Sequence, residues 1–220
     1  MSPGPFDPTF EALPARLPVF PLTGVLLLPR GRLPLNVFEP RYLAMTRHAL
    51  GAGRMIGMIQ PQEGKGDPGD PPLCRTGCMG RIIEFRETED GRYLITLLGV
   101  HRFDISLEPP REDLFRTVVP DWSRWRGDLE ASEPKLDHDR LVKALKPFFQ
   151  KQGIKADFKA IAAAPAGDLV TSLAMLCPFA PREKQALLET ADATARAELL
   201  IALVEMAVLA GPGEGDGVRH

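Results

Sequence analysis

Apolar positions follow a period of two through the first half of the chain and a helical period through the second, with the switch near residue 122. Two short apolar runs, residues 17–20 and 25–28, each close on a proline and predict strands. An extended segment over 32–38 then leads into Glu39-Pro40. From Pro40 onwards Tyr42, Leu43, Met45, Thr46, Ala49 and Leu50 share one face, which predicts a short amphipathic helix ended by Gly51. Pro18, Pro21, Pro29 and Pro34 exclude a regular helix before that point.

Further strands are predicted over 54–60, 78–88, 92–98, 101–108 and 115–121. Asp90-Gly91 reads as a hairpin turn and Gly99 as a turn or bulge. The Gly, Pro and Asp-rich stretch 61–72 reads as an exposed, mobile loop. Beyond 127, Leu136, Leu141, Leu145, Phe148 and Phe149 fall on one helical face. Three helical segments follow at 157–164, 166–177 and 181–190, and a last one at 192–210 pairs with its predecessor to close a bundle.

The expected layout is an N-terminal arm (1–16), a β-rich domain (17–126), a linker (127–135), a helical subdomain (136–210) and a tail (211–220). The fold class is α+β, with an antiparallel β-barrel and one short helix followed by an α-helical bundle.

Composition narrows the function classes. The 220 residues are 44% hydrophobic and 25% charged, enough for a sizeable core. With 27 basic against 29 acidic residues the formal net charge is −2, so no global field draws the chain to nucleic acid or membrane phosphate. The first residues carry acids and prolines where a secretion signal needs a basic start and an apolar run, and the longest apolar stretch, 199–210, is too short to span a bilayer. A cytoplasmic location is expected, with no membrane partner.

Catalytic chemistry finds no constellation. The chain lacks a phosphate-binding Gly-x-x-x-x-Gly-Lys string, and Gly51-Ala52-Gly53 lies between helix and strand rather than strand and helix. Serines occur at 2, 106, 123, 132 and 172, and the sole sketchable pair, Ser172 with Lys184, reads better as a helix-packing serine beside a solvated lysine. Cys74 and Cys78 lack the second ligand pair of a zinc site, so they read as small sheet hydrophobes. His101 reads as a surface strand residue. The acidic pairs Glu87 with Glu89 and Asp137 with Asp139 read as solvated faces or caps. No cofactor and no metal are expected.

Binding is the better-supported class. Trp122 and Trp125, the two tryptophans, alternate with Arg124 and Arg126 at the β-to-α junction; they offer flat apolar area to a peptide, or anchor one half on the other. Met45, Met55, Met58 and Met79 supply adaptable apolar surface or core.

Five pieces in order carry a family resemblance: Phe20-Pro21-Leu22 with Pro34-Leu35-Asn36-Val37-Phe38-Glu39-Pro40-Arg41-Tyr42, then Gly57-Met58-Ile59-Gln60-Pro61, Gly77-Cys78-Met79-Gly80-Arg81-Ile82, Asp90-Gly91-Arg92-Tyr93 and Gly99-Val100-His101-Arg102-Phe103. The chain resembles the Lon substrate-binding (Lon N-terminal) domain. The likeness continues more loosely through Leu173-Ala174-Met175-Leu176-Cys177-Pro178-Phe179 to Leu209, similar to stand-alone bacterial members lacking the Lon ATPase and peptidase. It implies a PUA-like barrel followed by helices, and non-catalytic contact with unfolded or degron-bearing polypeptides. A separate protease or chaperone that would receive such clients stays open, as does the oligomeric state.

The residues expected to contact peptide are Phe38, Arg41, Tyr42, Met45, Trp122 and Trp125. Two alternatives remain: an RNA-binding module using Arg75, Arg81, Arg86, Arg92 and Arg102, against which the balanced charge speaks, and a small-molecule sensor with a pocket between the halves.

Overall fold

The computed structural model describes residues 8–67, 69–130 and 133–209. The expected tail and the first seven residues of the expected arm lie outside these. Six strands occur: β1 (Leu17–Pro21), β2 (Arg32–Val37), β3 (Met55–Ile59), β4 (Thr76–Glu87), β5 (Tyr93–Leu107) and β6 (Arg116–Asp121). Six α-helices accompany them: α1 (Pro40–Gly51), α2 (His138–Gln152), α3 (Phe158–Ala163), α4 (Ala166–Leu176), α5 (Pro181–Leu188) and α6 (Ala193–Leu209). Short 3₁₀ segments cover Phe10–Ala12 and Ser123–Leu129. Among the described residues no helix is long and apolar enough to cross a membrane.

The strands form one mixed sheet in the order β2-β5-β4-β3-β1-β6, with an additional β5–β6 pairing. The barrel expectation needs correcting in two respects. β1 and β3 run parallel, Val19 opposite Gly57, whereas a hairpin-built barrel is antiparallel throughout. β2 lies outside the closed circuit of pairings, joined to β5 alone.

β5 unites two expected strands. The pairing slips where Gly80 faces Gly99, and this bulge bends β5 without ending it. Gly99 is needed there, because a Cβ would stand 1.9 Å from the Leu28 carbonyl oxygen. That oxygen belongs to the second correction. Residues 25–28 form no strand, yet Leu26, Leu27 and Leu28 are buried. Their backbone is drawn against the bulge, Arg30 N–H donating to the Gly99 carbonyl at 2.7 Å, so the apolar run signalled burial rather than strand pairing.

The chain divides into two compact units drawn from Met1–Ala131 with Ala174–Glu189 and from Ser132–Leu173 with Thr190–His220. One boundary of this division falls inside the expected linker 127–135, and residues 174–189 group with the first unit. In the first unit the core gathers Leu17, Val19, Ile59, Leu73, Met79, Val100, Phe103 and Val118. Here α5, expected in the bundle, rests on the sheet. Gln60 Nε2 donates to the Pro181 carbonyl at 2.9 Å, Gln185 Nε2 to the Thr76 carbonyl at 3.1 Å and Lys184 Nζ to the Gly24 carbonyl at 2.8 Å. The loop 61–72 is mostly exposed and is tied to the same unit, with Arg116 donating to the Pro71 carbonyl at 2.6 Å.

In the second unit α2 buries Leu141, Ala144, Leu145, Phe148 and Phe149, the face read from the sequence, and packs on α6. Asp137 caps α2 by accepting from Arg140 N–H at 2.9 Å, and Arg140 in turn pairs with Glu205 of α6 at 2.7 Å.

Candidate functional site

β2 ends the sheet, so one of its edges carries backbone groups without a strand partner. Pro34 sits in its middle, where a residue without an N–H is tolerated because the edge is not fully paired. Beside this edge lies a groove of about 550 Å³ across β2, β5 and β4, lined by Pro34, Leu35, Asn36, Phe85, Arg86 and Leu94 among others. Register explains the grouping: Pro34 and Glu84 both face Thr96, while Asn36 and Arg86 both face Leu94. Glu84 is fixed there, accepting from Arg32 and from Thr96 Oγ1, each at 2.7 Å. Phe85 stays 43% exposed with its ring edge-on to Tyr93 at 5.1 Å, and Phe38, next after β2, is 61% exposed.

The six residues expected to contact peptide are not brought together in one place. Phe38 follows Val37, which pairs with Tyr93 at the start of that strand. Arg41 pairs with Glu39 at 2.9 Å and covers the Tyr42 ring. Tyr42 itself is buried, its ring 4.0 Å from that of Phe20, and burial raises its hydroxyl pKa above the usual tyrosine value. Met45 is fully buried. Tyr42 and Met45 thus hold α1 on the sheet, while Phe38 and Arg41 meet solvent.

Trp122 and Trp125 belong to the far half of β5. Half-buried Trp122 meets His101 edge-on at 5.5 Å and Phe103 at 5.9 Å. Trp125 is buried at 2% exposure, its indole N–H donating to Asp104 at 3.1 Å and its ring lying 3.8 Å beneath the Arg102 guanidinium. It pins the 3₁₀ segment to the sheet.

His101, read as a surface residue, is fully buried. It stands next to the bulge, which turns its side chain inward beside the 3₁₀ segment, a rotation that strict alternation does not foresee. Its Nδ1 lies 2.5 Å from the Arg102 carbonyl, and Nε2 is buried with no hydrogen-bond partner among the described residues. Burial pulls its pKa below the ordinary histidine value.

Three of the arginines named for RNA are held in ion pairs. Arg75 pairs with Asp104 at 3.2 Å, Arg92 with Asp90 at 2.8 Å and Arg102 with Asp128 at 2.7 Å. A second hollow of about 390 Å³ lies between α5 and the end of β3, within the first unit, lined by Gln60, Gln62, Cys74, Arg182, Gln185 and Glu189 among others.

Sequence reading missed Glu84, Phe85 and the neighbouring β5 positions, and named Arg86 for RNA alone. An aromatic standing alone in the charged run Glu84–Glu89 was the available signal, since such a side chain finds no core partner among its sequence neighbours.

These features define an α+β domain with a groove beside an unpaired strand edge. Residues 16–206 match the family described as the ATP-dependent protease La (LON) substrate-binding domain, and the chain belongs to that family. It is 25% identical over 198 residues to a Lon protease of Anaeromyxobacter dehalogenans, covering 88% of this chain and 23% of that protein. Lon protease 2 of Sorangium cellulosum is 27% identical over 211 residues, with 90% of this chain and 26% of the relative covered. The chain therefore spans about a quarter of the length of these curated relatives. The crystal structure of a Lon N-terminal domain protein from Xanthomonas campestris matches with a TM-score of 0.62 and 26% identity, over 85% of this chain and 97% of that one. The fold is that of Lon N-terminal domains, and the matched family is the substrate-recognition part of Lon.

Proposed function

We propose that this chain is a non-catalytic recognition module of the cytoplasm that binds unfolded or degron-bearing polypeptide along the β2 edge and its groove, for hand-over to a separate protease or chaperone. The observation that carries the reading is the groove of about 550 Å³ beside an edge strand. An extended segment added to such an edge gains main-chain hydrogen bonds that any sequence can supply, and pockets beside the edge select for side-chain character. Phe38, Phe85 and Leu94 would supply apolar area, and Glu84 and Arg86 a polar rim.

The test is fluorescence anisotropy of a labelled, carboxymethylated unfolded protein titrated with this chain in the absence of ATP. Saturable binding that changes little with salt is expected, weakened about tenfold by Phe38→Ser with Phe85→Ser, the loss of two apolar anchors. Absence of binding to the unfolded chain, together with RNA binding that falls steeply with salt, would replace this reading by the nucleic-acid one.

A further inference from the structure

At the far half of β5 the first unit carries a second apolar seat, and part of its own chain sits in it. Phe10 and Leu13 lie on one 3₁₀ turn, whose hydrogen bonds run from Ala12 N–H to the Thr9 carbonyl (3.0 Å) and from Leu13 N–H to the Phe10 carbonyl (3.3 Å). The Phe10 ring meets His101 at 6.1 Å and lies 4.0 Å beneath the guanidinium of exposed Arg126, while Leu13, like Trp122 and Leu129, packs on the core cluster. Among the described residues, the hydrogen bonds of positions 9–13 are those within the turn itself. Among the described residues, side-chain contacts of half-buried Phe10 and Leu13 hold the turn in place.

The seat is lined by a fully buried imidazole and a half-buried tryptophan, and its rim is a cation positioned for an aromatic face.

We propose that this seat binds an aromatic side chain of a client polypeptide and that the chain's own Phe10 turn is its built-in competitor. The occupant is a short segment with an aromatic residue followed three positions later by a leucine-like residue, the chemistry already seated there. This rests on the reading that clients are unfolded polypeptides. It adds a second contact point and a threshold, because a client must displace the turn. If the turn fills the seat nine-tenths of the time, its removal tightens client binding at this point about tenfold.

The test uses the full chain with Phe10→Ala and a peptide copying residues 8–14, alongside the same peptide with alanine in place of phenylalanine. Binding is read from Trp122 emission and from the His101 imidazole proton resonances. The variant should melt cooperatively, bind the phenylalanine peptide saturably, ignore the alanine peptide, and take an unfolded protein about tenfold more tightly than the parent chain. A folded variant that ignores both peptides and gains no affinity would overturn the proposal, as would a variant that fails to fold, since an exchangeable occupant cannot be essential to the fold. Equal binding of unfolded protein by parent and variant, with silent peptides, would leave the β2-edge reading standing and remove this one. Peptide capture by the variant with no binding of unfolded protein by either chain would do the reverse.

Discussion

Arg102 and Asp128 form a buried bidentate pair, with the guanidinium Nε 3.0 Å and Nη2 2.7 Å from the carboxylate, and both side chains are less than one-tenth exposed. The same guanidinium donates to the Leu188 carbonyl at 2.9 Å and covers Trp125. One side chain therefore joins β5, the 3₁₀ segment and the last residue of α5 within the first unit. Removing either charge strands the other in a poorly solvated site. Asp128→Ala should cost about 3–5 kcal/mol, measured as a loss of stability in urea unfolding. Arg102→Lys should recover little of the wild-type stability, because a single ammonium can neither fork onto the carboxylate nor lie flat on the indole. A cost below about 1 kcal/mol, the range of a solvent-screened surface pair, would show that the site is wet.

Two glycines bound how closely the core packs. A Cβ on Gly57 would stand 2.8 Å from Leu17 Cδ2 and 3.0 Å from the Phe103 ring, both of them side chains. Gly57→Ala should therefore destabilise by about 1–3 kcal/mol, and part of that loss should return when Phe103 is changed to leucine in the same chain. Gly99→Ala meets the Leu28 backbone carbonyl instead, and no side-chain substitution should rescue it. Thermal melts of the two single variants and the Gly57→Ala, Phe103→Leu double variant check both statements. Rescue of Gly99→Ala by trimming Leu27 would sink the second.

His101 gives the stability a pH dependence with a definite sign. Burial lowers its folded pKa below the ordinary histidine value of 6.5, and the hydrogen bond to the Arg102 carbonyl opposes that in part. As pH falls below 6.5, unfolded chains take up a proton that folded chains refuse, so stability present above 6.5 is lost on acidification until the folded pKa is reached. The slope cannot exceed about 1.4 kcal/mol per pH unit for one group. Urea midpoints between about pH 7 and pH 5 should fall for the parent chain. They should fall less for His101→Gln, which keeps a donor for the Arg102 carbonyl and does not titrate. Equal slopes would assign the acid sensitivity to other groups.

Periodicity made most elements legible because it reports which face is buried: the helical face of α2 and the strands β3 to β6 lie close to where alternation placed them. It says nothing of the partner against which a face is buried. Residues 25–28 and α5 show the consequence, the first buried without a strand ladder and the second packed on the sheet by Gln60, Lys184 and Gln185, polar residues that carry no apolar period. The motif around Phe38 follows directly on β2. The groove beside it depended on register between β2, β5 and β4, and the Phe10 seat on a bulge at Gly80–Gly99; neither is a local property of sequence.

The three cysteines should differ sharply in reactivity. Cys78 and Cys177 are buried, and burial pushes the Cys177 thiol up to about 12, so it has almost no thiolate to offer near neutrality. Half-buried Cys74 lines the hollow beside α5, where burial and then the charges of Glu189 and Glu63 raise its pKa. Cys74 is thus reachable yet sluggish. Iodoacetamide at about pH 8 should add one group per native chain, more slowly than to a free thiol, and the rate should still be rising with pH above the usual thiol range near 8.5. In denaturant all three cysteines should react. Intact mass gives the count and peptide mapping the site. A second group added under native conditions would mean that the sheet around Cys78, or the turn around Cys177, opens far more readily than its packing implies.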